Sequence, residues 1–440
     1  MRDLQSLLDE LSAGRDVAGI SVAVGRGAAE WTATSGVLSR DTGFPVGPDS
    51  VFQIGSVTKL LTAALVMQLV EEGTVGLDDP VRRHLPTFRV KDPEVTRTVT
   101  VRHLLTHTGG FDGDIFTDTG RGDDALDRYV ALLGDAAGQL YPPGALFSYC
   151  NSGYCVLGAL AVRLRGADTW EALVRERLFE PLGMSRTALF ADEALMFGAA
   201  VGHLRSPAAD SSSGGGGGLR VVSRWQMPRS NAPAGSTPCA APRELLKLGR
   251  YLLTHHPAMR DAEVRVPGPP IMGSYAWSLG AELFDWNGTP AFGHDGGTPG
   301  QDTVLRIVPG HDLVVAICSN GNGYGLMRDL LGAIVSEMTG VTVPAGPVPP
   351  AAPRALDVTP FLGRYAYPMA EYEVTGAEGG ISLRTTPVGF AAEAGGEPRV
   401  ERYVALTDDT FVSVEGHDGA HSTVTFVDGF LHAGRVARRV

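Results

Sequence analysis

The chain has 440 residues, 43% of them hydrophobic and 20% charged, with 57 glycines, 29 prolines and a net charge of −12. That is ample for a full-sized core, in one large domain with a small one or in two of moderate size. The acidic balance, with no basic block, excludes nucleic acid and anionic membrane as expected partners, because neither is drawn to such a surface.

Residues 1–13 are predicted helical, with Leu4, Leu7, Leu8 and Leu11 on one face. This N-terminus lacks the apolar stretch of a signal peptide, and no apolar run is long enough to span a bilayer, so a cytoplasmic location is expected. Residues 20–24 and 31–37 read as strands joined at Gly25-Arg26-Gly27. A strong helix is predicted over 56–72, followed by Gly73. The middle of the chain, to about residue 253, reads as helices and long loops, with helices over 102–105, 124–133, 154–165 and 170–178. Residues 211–218 are three serines and five glycines, a surface spacer.

Strands return from Trp277, at 291–294, 303–308 and 313–319, before a closing helix at 327–338. Strands at both ends of a helical middle predict an α/β (α+β) domain with one antiparallel sheet and a helical insertion. Residues 346–354 form a Pro/Ala-rich linker between a domain at 1–345 and a second at 355–440. In the second, runs at 365–374, 380–384, 402–406, 410–414, 423–427 and 430–436 predict a small all-β barrel or sandwich. The four cysteines, at 150, 155, 239 and 318, form no C-x-x-C pair. A zinc site is not expected, and two disulfides stay open.

Three short motifs carry chemistry. Gly55-Ser56-Val57-Thr58-Lys59 places a lysine three positions from a serine, on the same face one helical turn away. A serine needs a base to become a nucleophile, and burial disfavours the charged form of lysine. The helix N-terminus offers unpaired N–H groups to an oxyanion. With three lysines and 24 serines, chance expects about 0.2 such matches. Tyr149-Cys150-Asn151 can set two polar tips on one side of a loop. Tyr149 near a lysine is expected to ionise more easily and act as a base, and Asn151 to bind a substrate amide or orient Lys59. Gly293-His294-Asp295-Gly296-Gly297 ends a strand, where glycines let a substrate lie against the edge. His294 is a candidate for binding a substrate carboxylate or relaying a proton. Taken singly, each motif also fits a structural role: an N-cap serine with a solvated lysine, a helix-capping asparagine, or a hairpin with an exposed histidine.

In the order S-x-x-K, Y-x-N, H-x-G, separated by 93 and 145 residues, the motifs together resemble the serine β-lactamase and penicillin-binding-protein superfamily. The likeness is to its class C β-lactamase, esterase and D-aminopeptidase branch. Phe52-Gln53-Ile54-Gly55, Leu104 to Gly110, Pro181-Leu182-Gly183-Met184 and Ala234-Gly235-Ser236 extend it over about residues 5–340. The resemblance implies a β-lactamase/transpeptidase-like fold with a C-terminal lipocalin-like module. It implies that Ser56 is acylated, that Lys59 and Tyr149 move protons, and that Asn151, His294 and Gly296 hold substrate. It implies that the N–H groups of Ser56 and Gly297 form the oxyanion hole. His107 falls in a motif whose role is structural. No metal or organic cofactor is implied. Histidine at 294, where class C β-lactamases carry lysine, is typical of esterase, D-peptidase and acyltransferase members and argues against antibiotic resistance.

Residues 55–73 and 140–159, with a β-module opening Phe361-Leu362-Gly363-Arg364-Tyr365, also look like the stand-alone thioesterases of penicillin-binding type, which release and macrocyclise non-ribosomal peptides. The expected function is therefore a serine hydrolase or acyltransferase acting on an ester, a thioester or a D-residue-containing peptide. The expected partner is a small-molecule or peptidyl acyl donor, with a peptidyl thioester among the candidates. The alternatives are a peptide cyclase and a slowly turning-over acylated sensor.

Overall fold

The computed structural model describes residues 3–205, 218–321, 323–417 and 419–440. The glycine-serine spacer, apart from Gly218, lies outside them. Strands β1 (Gly19–Arg26) and β2 (Ala29–Gly36) join β3 (Val264–Arg265), β4 (Ser274–Trp277), β5 (Glu282–Trp286), β6 (Thr289–Thr298), β7 (Gln301–Val308) and β8 (Leu313–Ser319) in one antiparallel sheet. The spatial order is β2-β1-β8-β7-β6-β5-β4-β3, so the two ends of the domain meet where β1 pairs with β8. This is the expected antiparallel sheet with its helical insertion.

Alternation along β1 sorts its side chains between two cores. Ile20, Val22 and Val24 pack with Leu4, Leu7 and Leu8 of α1 (Leu4–Ser12), whereas Ala23 faces the main core. The main core is built around α2 (Thr58–Glu71) and α3 (Asn151–Arg165). Helix α2 is apolar all round, from Leu60 to Leu69, which is the pattern of a helix buried on every side. The sequence placed Ser56 inside this helix. It stands instead in a 3-10 turn, Gly55–Val57, that leads into it. Helix α4 (Pro242–Thr254), absent from the sequence reading, covers the sheet at β1 and β8 through Leu245, Leu246, Leu248 and Leu252. Helix α5 (Tyr324–Thr339) closes the opposite face beside α1. All four cysteines are free thiols and buried, so the two open disulfides do not form.

The C-terminal module is a closed eight-stranded barrel. Its strands are β9 (Gly363–Tyr367), β10 (Ala370–Ala377), β11 (Gly380–Pro387), β12 (Arg399–Ala405), β13 (Thr410–Ser413), β14 (Thr423–Val427), β15 (Phe430–His432) and β16 (Val436–Arg439). Two runs that read as single strands are each hairpins. Tyr367 pairs with Ala370 across Pro368-Met369, and His432 pairs with Val436 across a loop containing Gly434 at φ 78°. Proline suits the first corner of a turn and glycine the left-handed corner, so the breaks follow local chemistry that the apolar alternation conceals. Among the described residues no helix is long and apolar enough to cross a membrane.

Candidate active site

The 3-10 turn carrying Ser56 is wedged against the end of β6. A Cβ added at Gly296 would lie 2.0 Å from the Ile54 carbonyl oxygen, and one at Gly55 would lie 2.6 Å from the Gly297 nitrogen. On the other side, a Cβ at Gly235 would meet the Gly55 carbonyl at 2.1 Å. Side chains at these positions would force the backbones apart, so glycine here sets the distance between Ser56 and the strand. The Ser56 and Gly297 backbone N–H groups are brought into one locality by this contact.

Lys59 is fully buried. Its Nζ lies 3.0 Å from Ser56 Oγ, 2.7 Å from Asn151 Oδ1 and 2.6 Å from the Ala234 carbonyl oxygen. Burial is the main cause that brings its pKa down to about 7, with the Arg435 charge adding to the effect and Asp114 opposing it. The amide of Asn151 donates to Asp114, which fixes the Asn151 oxygen toward Lys59. Two of the three partners of Nζ are carbonyl oxygens that only accept. A neutral lysine gives them its two N–H bonds and keeps its lone pair for the Ser56 hydroxyl.

Tyr149 sits beside this pair, its ring centroid 4.8 Å from Lys59 Nζ. Burial drives its phenol pKa strongly upward, and a hydrogen bond with Ser56 offsets only part of the rise. The sequence reading expected easier ionisation. Burial outweighs the Ser56 hydrogen bond and the Arg435 charge, so the phenol holds its proton more tightly than a free tyrosine. His294 is buried, and its pKa falls to about 3, first through burial and then through the Lys59 charge. Its Nδ1 donates to the Asp295 carbonyl at 2.5 Å, so Nε2 is the acceptor that faces the Tyr149 hydroxyl at 3.4 Å. A neutral imidazole in that tautomer suits proton relay and does not supply a cation for a carboxylate.

His107 holds the Tyr149 loop from beneath. Its Nδ1 accepts from the Cys150 N–H at 2.9 Å, and its ring lies 4.4 Å from that of Tyr149. Asn151 opens α3 as its first helical residue. The cap is Cys150, whose sulfur accepts from the Gly153 N–H.

Two contributors escaped the sequence reading, Asp114 and Arg435. Arg435 lies in the loop between β15 and β16. Its Nε is 2.5 Å from Asp114 Oδ2, and its guanidinium is stacked 4.8 Å over the Tyr149 ring. The same barrel loop accepts the Tyr149 N–H at the Gly434 carbonyl, and Val436 N–H donates to Ser148 Oγ. An ordered chain therefore runs from the barrel to the lysine, through Arg435, Asp114 and Asn151. No sequence signal marks either residue: Asp114 is one of several acids in an irregular loop, beside Asp112 and Asp118, and arginine is abundant throughout.

Ser56 opens onto two cavities. One, of about 700 Å³, is lined by Tyr149, Trp277 and His294 and by the barrel's Tyr372, Arg399 and His432. The other, of about 390 Å³, lies toward Asn151 and Gly235. The larger has a polar end where Arg306 pairs with Asp295 at 2.6 Å beside Glu282. Among the described residues no three His, Cys, Asp or Glu side chains cluster to hold a metal.

The beta-lactamase family model matches residues 4–337. Penicillin-binding protein 4 of Amycolatopsis lactamdurans is 39% identical over 377 residues, covering 82% of this chain and 96% of that protein. Esterase EstB of Burkholderia gladioli is 31% identical over 196 residues, 41% of this chain and 49% of the esterase. Among solved structures, SurE superimposes with a TM-score of 0.74 at 30% identity, covering 99% of this chain and 98% of SurE, and its complex with D-Leu gives 0.71.

Proposed function

Since the chain belongs to the beta-lactamase family, whose penicillin-binding and esterase members are its relatives, we propose that it is an acyl-transfer enzyme that forms a covalent ester on Ser56. The observation that carries this is the setting of Lys59: buried, lowered to about 7, and coordinated so that its neutral form directs a lone pair at Ser56 Oγ. Lys59 takes the hydroxyl proton as Ser56 attacks the carbonyl. The N–H groups of Ser56 and Gly297 hold the oxyanion. Tyr149, protonated and beside Ser56, supplies the leaving group's proton, and the proton on Lys59 restores it. Water or an amine then resolves the ester by the same steps in reverse.

The acyl donor in this reading is an ester, a thioester or a peptide ending in a D-residue. EstB supports the first by its name, and the D-Leu complex of SurE supports D-configuration at the site. A second reading, peptide cyclisation, is favoured by the barrel roof over the larger cavity. A covered ester meets less water, while a tethered amine arrives at high effective molarity.

The test is mass spectrometry on peptidyl thioesters supplied as a matched D/L pair. Ser56 should gain the acyl mass faster from the D-peptide, and Ser56→Ala should gain none and lose several orders of magnitude in turnover of p-nitrophenyl acetate. A cyclic product is one water lighter than the linear acid. Linear acid alone, from both configurations and all lengths, would leave the hydrolase reading and remove the cyclase. One equivalent of product with no further turnover would identify an acylated sensor instead.

A further inference from the structure

We propose that the smaller cavity receives the acyl chain, and that Phe390 of the C-terminal barrel is the residue that sets which side chain it accepts. The inference rests on the acyl-transfer reading and extends it to substrate choice. Both cavities share Ser56, Gly297 and Arg435, but Tyr149 and His294 line only the larger one. The leaving group must be protonated as its bond to carbon breaks, and the acceptor must lose a proton as it attacks along the same line. Both therefore belong on the side of Tyr149. With the carbonyl oxygen held at the Ser56 and Gly297 N–H groups, the direction left for the acyl chain is the smaller cavity. Asn151, held between Lys59 and Asp114, also lines it.

The lining of that cavity is chiefly apolar: Phe116, Leu204 and Met227 from the family domain, and Met369, Phe390 and Ala391 from the barrel. It asks for an apolar side chain, aromatic or branched aliphatic. Phe390 lies on a short helix, Gly389–Glu393, between β11 and β12, and its ring is 4.8 Å from that of Phe116 at 33°. That aromatic pair couples the barrel to the domain at the wall of the pocket, and Met369 adds the tip of the β9–β10 turn. Sequence changes in the barrel can thus alter acyl preference without touching the nucleophile.

The experiment uses the full chain and p-nitrophenyl esters of N-acetyl D-Ala, D-Leu, D-Phe and D-Trp, so that the leaving group is constant. The wild type should favour D-Leu or D-Phe over D-Ala by about tenfold or more in kcat/KM. Phe390→Trp should cut that ratio by about tenfold, and Phe390→Ala should move the preference toward D-Trp. Met227→Phe, which narrows the same pocket from a residue outside the barrel, should act like Phe390→Trp. Unmoved ratios in Phe390→Ala and Met227→Phe, with the wild type active, overturn the pocket assignment and leave acyl transfer standing. A wild type that turns over none of these esters, nor p-nitrophenyl acetate, overturns both.

Discussion

At the mouth of α2 the contacts are backbone against backbone, with no room for a Cβ at Gly55, Gly235 or Gly296. At the barrel loop around Arg435 the contacts are two hydrogen bonds to the Tyr149 loop and one ion pair to Asp114. Both regions serve the same serine. The first fixes distance and cannot be altered without moving Ser56 away from the Gly297 N–H. The second fixes charge and orientation, chiefly through the Arg435 side chain. Position is thus set within the family domain, and the electrostatic setting of Lys59 is shared with the barrel.

The widest separation between the two regions should come from Gly296→Ala. Its methyl would lie 2.0 Å from the Ile54 carbonyl, and since a misplacement of about 1 Å costs on the order of 100-fold, acylation of Ser56 should fall by at least that much. A variant that labels at the wild-type rate would show that the glycine contact does not set the site. The effect at Arg435 should be smaller and should depend on pH. Acylation as proposed needs neutral Lys59, so the wild-type rate should rise with pH through about 7. Removing the Arg435 cation raises the Lys59 pKa, so Arg435→Ala should shift this limb upward. The rate at pH 7 should fall about three- to tenfold and recover in alkali. Asp114→Asn removes the opposing charge and should shift the limb downward. Two limbs moving in opposite directions are not a signature of general structural damage. Loss at every pH in both variants would refute the charge argument.

The asymmetry between the regions is also an asymmetry of legibility. Ser56, Lys59, Tyr149, Asn151 and His294 could be picked out because their chemistry travels in short local patterns, on elements whose apolar period marks helix or strand. The sheet was legible because strands cluster at the two ends of the family domain. Arg435 was not, because its meaning depends on a contact 321 residues away in sequence, with Asp114. The ionisation of Tyr149 was misread for a related reason. A neighbouring lysine can be inferred from spacing, but the depth of burial that raises the Tyr149 pKa cannot. Helix α4 does carry a local signal, with Leu245, Leu248 and Leu252 at helical spacing and Pro242 where a helix commonly begins.

A dry lysine is also a thermodynamic liability. In the unfolded chain Lys59 is solvated, with an ordinary pKa near 10.5, while in the fold it falls to about 7. Between those values the unfolded state binds more protons, so the native state gains stability as pH rises and loses that gain as pH falls toward 7. The fold therefore carries, at neutral pH, a side chain that a Met of similar length would relieve. Lys59→Met should be inactive, yet unfold at a higher denaturant concentration than the wild type at pH 7, with the gap narrowing by pH 9. Catalytic competence and conformational robustness are opposed at this one nitrogen.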